Sequence, residues 1–201
     1  MKVRRRCGGN NWGEIDEQQG EGYSPDNRIN NRDRELKIYQ AKTAGQVSTA
    51  MVGDIPIEVY GGTEEQRSLA IDATRDVLTK TDLGKSMQDS FRVRTESSWF
   101  GLVKEVQPVD ILLVNSGGSG ATDLGSNHIT LSLKQIGISY PSNPPGGITS
   151  YQQVIAHEFG HAALGVPDGF YPAMECVNRV ENPIMKQLHP LDFHERTAYG
   201  F

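Results

Sequence analysis

The sequence HEFGH at residues 157–161 constrains the fold of this chain more than any other feature. On an α-helix, residues four apart lie on one face about a turn apart, so His157 and His161 can bind a single tetrahedral Zn2+ ion through their imidazole nitrogens. Glu158 would then lie beside the metal, where a carboxylate can take a proton from a zinc-bound water and deliver it to a leaving amine. The pattern therefore predicts a helix that carries a site for metal-assisted hydrolysis, most often of a peptide bond.

The residues around this motif favour the same helix. Ser150 and Gln153 form a capping-box pattern that predicts a helix start at about Tyr151, and Gly165 followed by Pro167 predicts its end. The alternative is an amphipathic core helix whose histidines only form hydrogen bonds. Two histidines and a glutamate at this spacing are poor core material without a compensating ion, which favours the metal site.

The length and composition favour one globular domain. A chain of 201 residues can bury one sizeable core, and a formal charge of -5 argues against nucleic acid as the main partner. No apolar run is long enough for a membrane span, and the basic N-terminus lacks the apolar stretch of a conventional signal peptide. Cys7 and Cys176 lie far apart and indicate no disulfide framework; Cys176 is interpreted as a buried apolar side chain, with a role as soft zinc ligand as the alternative.

The distribution of apolar residues divides the chain at about residue 38. Residues 1–38 are rich in polar residues and glycine and are expected to form a disordered leader or linker, whereas residues 39–201 are expected to fold. The folded part is predicted to be α+β, with a small mixed sheet before the HExxH helix, which is the element order of a zincin-like metalloprotease fold. The predicted elements are an edge strand at 55–60, a helix from Thr63 to about Leu78, a helical piece at 85–89, and strands at 91–94, 109–114 and 128–133, the last with His128 at its rim.

A third zinc ligand cannot be chosen from the motif alone, and three carboxylates compete for the role. Glu175 is ranked first, because a helix beginning after Pro172 could direct it at the metal. Glu181 is second: it has the familiar twenty-residue separation from His161, but the Asn-Pro pair that follows disfavours a mid-helix position. Asp168 is third, since it lies one residue too late for the metzincin-like pattern.

The last fifty residues resemble a known group of enzymes. The segments HEFGHAALG, ECVNRVENPIMKQL and ERTAYG are similar to those of NleD-type effector metallopeptidases and of the zincin toxin domains at the C-termini of Rhs-type polymorphic toxins. By this resemblance, Glu175 and the Glu181-Asn182 pair match the group's glutamate and EN pair, and Arg196 with Tyr199 matches its final R-x-x-Y. The chain departs from the group in the short gap between the HExxH helix and the EN pair.

The Arg-x-x-Tyr match implies a catalytic role for two further side chains. In the similar clostridial neurotoxin proteases such a pair lies at the zinc, where an arginine and a phenol can donate to the oxyanion that forms as water attacks the carbonyl. Arg196 and Tyr199 are therefore expected to stabilise the transition state. The alternative is a C-terminal edge in which Arg196 pairs with a carboxylate and Tyr199 packs.

Together these features predict a zinc metallopeptidase that cleaves a protein substrate in a target cell. The resemblance implies a secreted bacterial effector or the C-terminal domain of a polymorphic toxin, delivered by a specialised secretion system, with residues 1–38 as the cut end of the longer polypeptide. An immunity protein and a carrier or secretion module are the implied partners. The alternatives are a zinc hydrolase acting on a non-protein amide and a non-catalytic, metal-stabilised binding module.

Overall fold

The computed structural model of the chain describes residues 31–95, 108–115, 121–122, 124–139, 147–169 and 174–197. Within these ranges the fold is α+β with a small mixed sheet, as predicted. The α-helices are α1 (Asn31–Thr43), α2 (Glu64–Lys80), α3 (Asp82–Thr95), α4 (Tyr151–Leu164) and α5 (Asn182–Leu188), and the strands are β1 (Val47–Val52), β2 (Ile55–Tyr60), β3 (Val109–Val114), β4 (Ala121–Thr122) and β5 (His128–Ser132).

The strands form one sheet in the order β1-β2-β3-β5-β4, in which β2, β3 and β5 are parallel and the outer strands β1 and β4 are antiparallel to their neighbours. The expectation that β2 is an edge strand is wrong, because β1 pairs along its outer side. Proline is tolerated there since pairing with β3 begins only at Ile57, after Pro56, so the missing N–H breaks no bond to β3.

Helix α3 replaces two predicted elements. The short helical piece at 85–89 lies within it, whereas the strand predicted at 91–94 is wrong, because these residues continue the helix to Thr95. Met87 and Phe91 are one turn apart and fully buried, and the Phe91 ring meets the ring of Phe159 edge to face at 5.3 Å. Burial of this helical face stabilises a helix at residues 91–94, although the alternation of residue types there is typical of a strand.

The sheet is covered on both faces, and α4 lies on the larger core. Alternate residues of β2, β3 and β5 pack against α2, α3 and α4, while α1 covers the opposite face through a small cluster that includes Ala41 and Tyr60. The predicted ends of α4 are confirmed: the Ser150 hydroxyl accepts a hydrogen bond from the backbone N–H of Gln153 at 3.2 Å, and Gly165 ends the helix with φ of 63°. The HExxH motif is thus held rigidly on the core.

Of the predicted leader, residues 1–30 lie outside the described residues, and residues 31–38 form the first part of α1, where Arg34 is buried. None of the helices that the structure describes is both long and apolar enough to cross a membrane.

Candidate metal centre

Three side-chain atoms from α4 and the segment after it lie within hydrogen-bond distance of one another. His157 Nε2 is 3.2 Å from His161 Nε2, and Asp168 Oδ1 is 3.0 Å from the first and 3.2 Å from the second. Three ligands of a tetrahedral zinc ion, each bonded at about 2.0 to 2.2 Å, are separated by about 3.3 to 3.5 Å. The triangle therefore has nearly the dimensions of one face of a zinc coordination sphere.

The contacts of the two Nδ1 atoms determine whether the Nε2 atoms of the neutral rings can accept or donate. His157 Nδ1 is 3.0 Å from Glu181 Oε2, and His161 Nδ1 is 2.5 Å from the carbonyl oxygen of Val166. A carboxylate and a carbonyl accept hydrogen bonds, so both Nδ1 atoms donate. In the neutral form of each ring the proton is then on Nδ1, and both Nε2 atoms carry a lone pair.

In that neutral form the three atoms of the triangle would all be acceptors, and a cation, either a metal ion or a proton, would join them. Burial alone would lower the pKa of His161, but its hydrogen bonds with Asp168 and Cys176 raise it to about 10. Burial would raise the pKa of Asp168, yet the two histidines hold it well below its usual range. Both shifts favour a positive charge on the His161 imidazole beside the Asp168 carboxylate.

Glu158, the proposed general base, is buried at 4 % exposure, and its Oε2 atom has no hydrogen-bond partner among the described residues. Burial raises the pKa of this carboxyl, although the nearby His157 and His161 act to lower it. A buried carboxylate oxygen without a partner is rare unless a ligand or water completes it. The residues present fit a hydrolytic metal site, in which this oxygen would accept from water.

The carboxylate against the histidines is Asp168, not the first-ranked Glu175. The Glu175 side chain is 42 % exposed and accepts a hydrogen bond from Arg179 at 3.4 Å, while its backbone N–H donates to the carbonyl of Asp168 at 2.8 Å. The metzincin-like spacing fails at Asp168 by one residue. The chain that follows the left-handed Gly165 nevertheless brings Asp168 back over α4.

Glu181, the second-ranked ligand, lies behind His157. Its carboxylate is fully buried and contacts His157 Nδ1, the Gln153 side chain at 2.6 Å and the Arg196 guanidinium at 3.0 Å. Burial would raise its pKa, but the hydrogen bond with His157 and the charge of Arg196 lower it. A carboxylate at this position can orient His157 as a metal ligand, whereas it would not bind the metal itself.

The expectation that Pro183 disfavours a helical position for Glu181 is wrong. Residues Val177–Glu181 form a π-helical turn that continues directly into α5, with Pro183 in the first turn of that helix. Proline is accepted there because its missing N–H falls where the hydrogen-bonding pattern already changes, and π-turns of this kind are frequent at functional sites.

Cys176 offers a second possible set of ligands. Its sulfur lies within 4.8 Å of nitrogen atoms of both His157 and His161, so a His157–His161–Cys176 group exists at metal-binding distance. The thiol is fully buried and donates to the carbonyl oxygen of His157 at 3.1 Å, and it lies so close to Gly160 that a methyl group there would be 2.8 Å from the sulfur. Asp168 fits better, because its distances of 3.0 and 3.2 Å from the two Nε2 atoms are already close to those in a coordination sphere.

The two candidate oxyanion stabilisers have different outcomes. Arg196 is buried and pairs with Glu181, on the Nδ1 side of His157. Tyr199 lies outside the described residues.

The sequence predicts Gln153 only as part of the helix cap. Its amide instead extends to Glu181, a contact that no local pattern indicates.

Comparisons of the chain with protein-family models, with curated proteins and with solved structures give no match. Function must therefore be argued from the metal centre itself.

Proposed function

We propose that this chain is a zinc-dependent metallopeptidase with a zincin-like fold. The observation that carries the proposal is the convergence of three acceptor atoms, from His157, His161 and Asp168, at the spacing of zinc ligands beside a buried carboxylate. In the neutral tautomers that donate through Nδ1, all three atoms are acceptors, and a Zn2+ ion between them would compensate all three.

In the proposed reaction His157, His161 and Asp168 hold the metal. A bound Zn2+ ion would lower the pKa of its water ligand and polarise the substrate carbonyl. Glu158 takes the proton of the attacking water on its unpartnered oxygen and passes it to the amine that leaves when the C–N bond breaks. The raised pKa of Glu158 suits a group that must both accept and return a proton.

The position of β4 supports a peptide as substrate. This strand ends the sheet, and among the described residues no strand pairs with its outer side. The turn that follows β4 contacts α4, since the backbone N–H of Gly125 donates to the carbonyl oxygen of His161 at 3.1 Å. An extended peptide that paired with β4 would thus lie next to the metal ligands.

By the resemblance of its C-terminal motifs, we further propose that the enzyme acts as a secreted effector or toxin domain on a protein of a target cell. A cognate immunity protein and a carrier or secretion module would be its partners.

The experiment is a comparison of Glu158→Gln with Glu64→Gln, an exposed glutamate at the start of α2. We expect the wild-type protein to bind one equivalent of Zn2+ and to cleave a mixed peptide library. Glu158→Gln should keep the zinc and lose activity by about 100- to 10,000-fold, whereas Glu64→Gln should retain both. Full activity of Glu158→Gln would reject the enzymatic proposal.

Cys176 supports a second candidate, a non-catalytic module stabilised by zinc. If the thiolate joined the other ligands, the site would be closed, as in structural zinc sites. Removal of zinc with a chelator would then unfold the protein, whereas a catalytic site should lose activity and keep its circular dichroism spectrum.

A further inference from the structure

A buried chain of contacts connects the C-terminal segment with His157. One nitrogen of the Arg196 guanidinium lies 3.0 and 3.3 Å from the two oxygens of Glu181, and Glu181 Oε2 lies 3.0 Å from His157 Nδ1. The side chains of Arg196 and Glu181 are 5 % and 0 % exposed. Arg196 is thus connected with His157 through the side chain of Glu181.

This arrangement does not suit a direct role of Arg196 on substrate. The guanidinium faces the carboxylate that binds Nδ1 of His157, while the metal triangle uses Nε2 of the same ring. Glu181 therefore stands between the guanidinium and the imidazole. A donor to an oxyanion must instead approach the reacting carbonyl within hydrogen-bond distance.

The position of Arg196 is fixed by its own backbone. The side-chain amide of Asn182 donates to the carbonyl oxygen of residue 196 and accepts from its N–H, both at 3.0 Å. A buried carboxylate is costly unless a charge and hydrogen bonds compensate it. Asn182 places Arg196 where it supplies that charge to Glu181.

We propose that Arg196 is a positioning residue: it holds Glu181 so that His157 keeps its proton on Nδ1 and presents Nε2 to the metal. The inference rests on the proposed metal centre. It makes the segment after α5 part of the metal site, and it replaces the role on the oxyanion that the Arg-x-x-Tyr match implies for Arg196.

The test compares Arg196→Met, Arg196→Lys and the control Arg179→Met, which removes an arginine that is 66 % exposed and pairs with Glu175. Zinc affinity is measured by competition with a chromophoric chelator, and the hydrogen bond of His157 Nδ1–H by 1H–15N NMR of the zinc-loaded protein. We expect Arg196→Met to weaken zinc binding about 10- to 100-fold, as for other outer-shell partners of metal ligands. Arg196→Lys should recover most of the affinity, because one nitrogen makes both contacts, and Arg179→Met should not change it.

The opposite result is equally clear. If Arg196→Met keeps the zinc affinity and the Nδ1–H signal of the wild type but lowers kcat at saturating zinc, Arg196 acts on the substrate and the inference is overturned. If the wild type itself binds no zinc, the proposed function fails instead.

Should Arg196→Met not fold, Glu181→Gln tests the same contact. It is expected to weaken zinc binding to a similar extent, because it removes the carboxylate that joins the two residues. A wild-type zinc affinity in Glu181→Gln would overturn the inference.

Discussion

Among the residues that the structure describes, two clusters combine histidine with aspartate, and we propose a metal centre at one of them. The proposed metal centre lies on α4, whereas the second cluster lies where α1 meets the starts of β3 and β5. There His128 Nδ1 is 2.6 Å from Asp110 Oδ2, and Arg34 pairs with the other oxygen of Asp110 and donates to the carbonyl of Ile129 at 3.3 Å.

The difference lies in how donors and acceptors are matched. In the second cluster the Asp110 carboxylate stands between an arginine and an imidazole, so negative charge meets donors on both sides. In the proposed metal centre two imidazole Nε2 atoms and one carboxylate oxygen lie within 3.2 Å of one another. Residue composition alone does not distinguish the two clusters; the convergence of three possible ligand atoms does.

The largest difference in zinc affinity is expected when one histidine of each cluster is replaced by alanine. His161→Ala should reduce zinc affinity on the order of 1,000-fold, since each ligand carries several kcal/mol of the binding free energy of a zinc site. His128→Ala should leave it unchanged, because His128 faces Asp110 on the other side of the sheet. Isothermal titration calorimetry with Zn2+ measures both, and an equal loss in the two variants would remove the distinction between the clusters.

The second cluster should instead contribute to stability. Asp110→Ala leaves the buried Arg34 guanidinium without its carboxylate, which is expected to lower the free energy of unfolding by about 3 kcal/mol. Urea denaturation should show this loss in both the metal-free and the zinc-bound protein. A change in zinc affinity without a change in stability would assign Asp110 to a metal site and contradict the comparison.

The choice of the third ligand can be tested within the metal centre. Asp168→Ala should weaken zinc binding on the order of 100-fold, less than a histidine variant, because a water molecule can replace a carboxylate oxygen. Glu175→Ala, which removes an exposed partner of Arg179, should have no effect on zinc affinity. The reverse order of the two variants would restore Glu175 as the ligand.

The smallest effect is expected from Cys176. Because its thiol donates to the carbonyl of His157, Cys176→Ser should bind zinc like the wild type, and the cobalt-substituted protein should lack a sulfur-to-cobalt charge-transfer band. An intense band that disappears in Cys176→Ser would make the thiolate a ligand and favour the closed site.

Local signals in the sequence predicted much of this centre. Ser150 and Gly165 fixed the ends of α4, and the four-residue spacing placed His157 and His161 on one face. These features depend on one turn of backbone, so the sequence contains all the information that is needed.

The remaining features depend on where distant segments come together. Asp168 was ranked last because its spacing matches no pattern, and its position depends on the path of the chain after Gly165. The sequence ranks Glu181 second because the Asn-Pro pair that follows disfavours a helix there, and the π-turn that accommodates Pro183 has no clear signal in the sequence. The role of Arg196 changed because Glu181 lies between it and His157, which only the folded chain shows.

The most direct test of the account is a crystal structure of the zinc-loaded protein with anomalous diffraction measured at the zinc edge. The account predicts one anomalous peak about 2.0 to 2.2 Å from His157 Nε2, His161 Nε2 and a carboxylate oxygen of Asp168, with Glu158 within reach of the open position. A peak bonded to Glu175 or Cys176 in place of Asp168, or no peak between the two histidines, would contradict it.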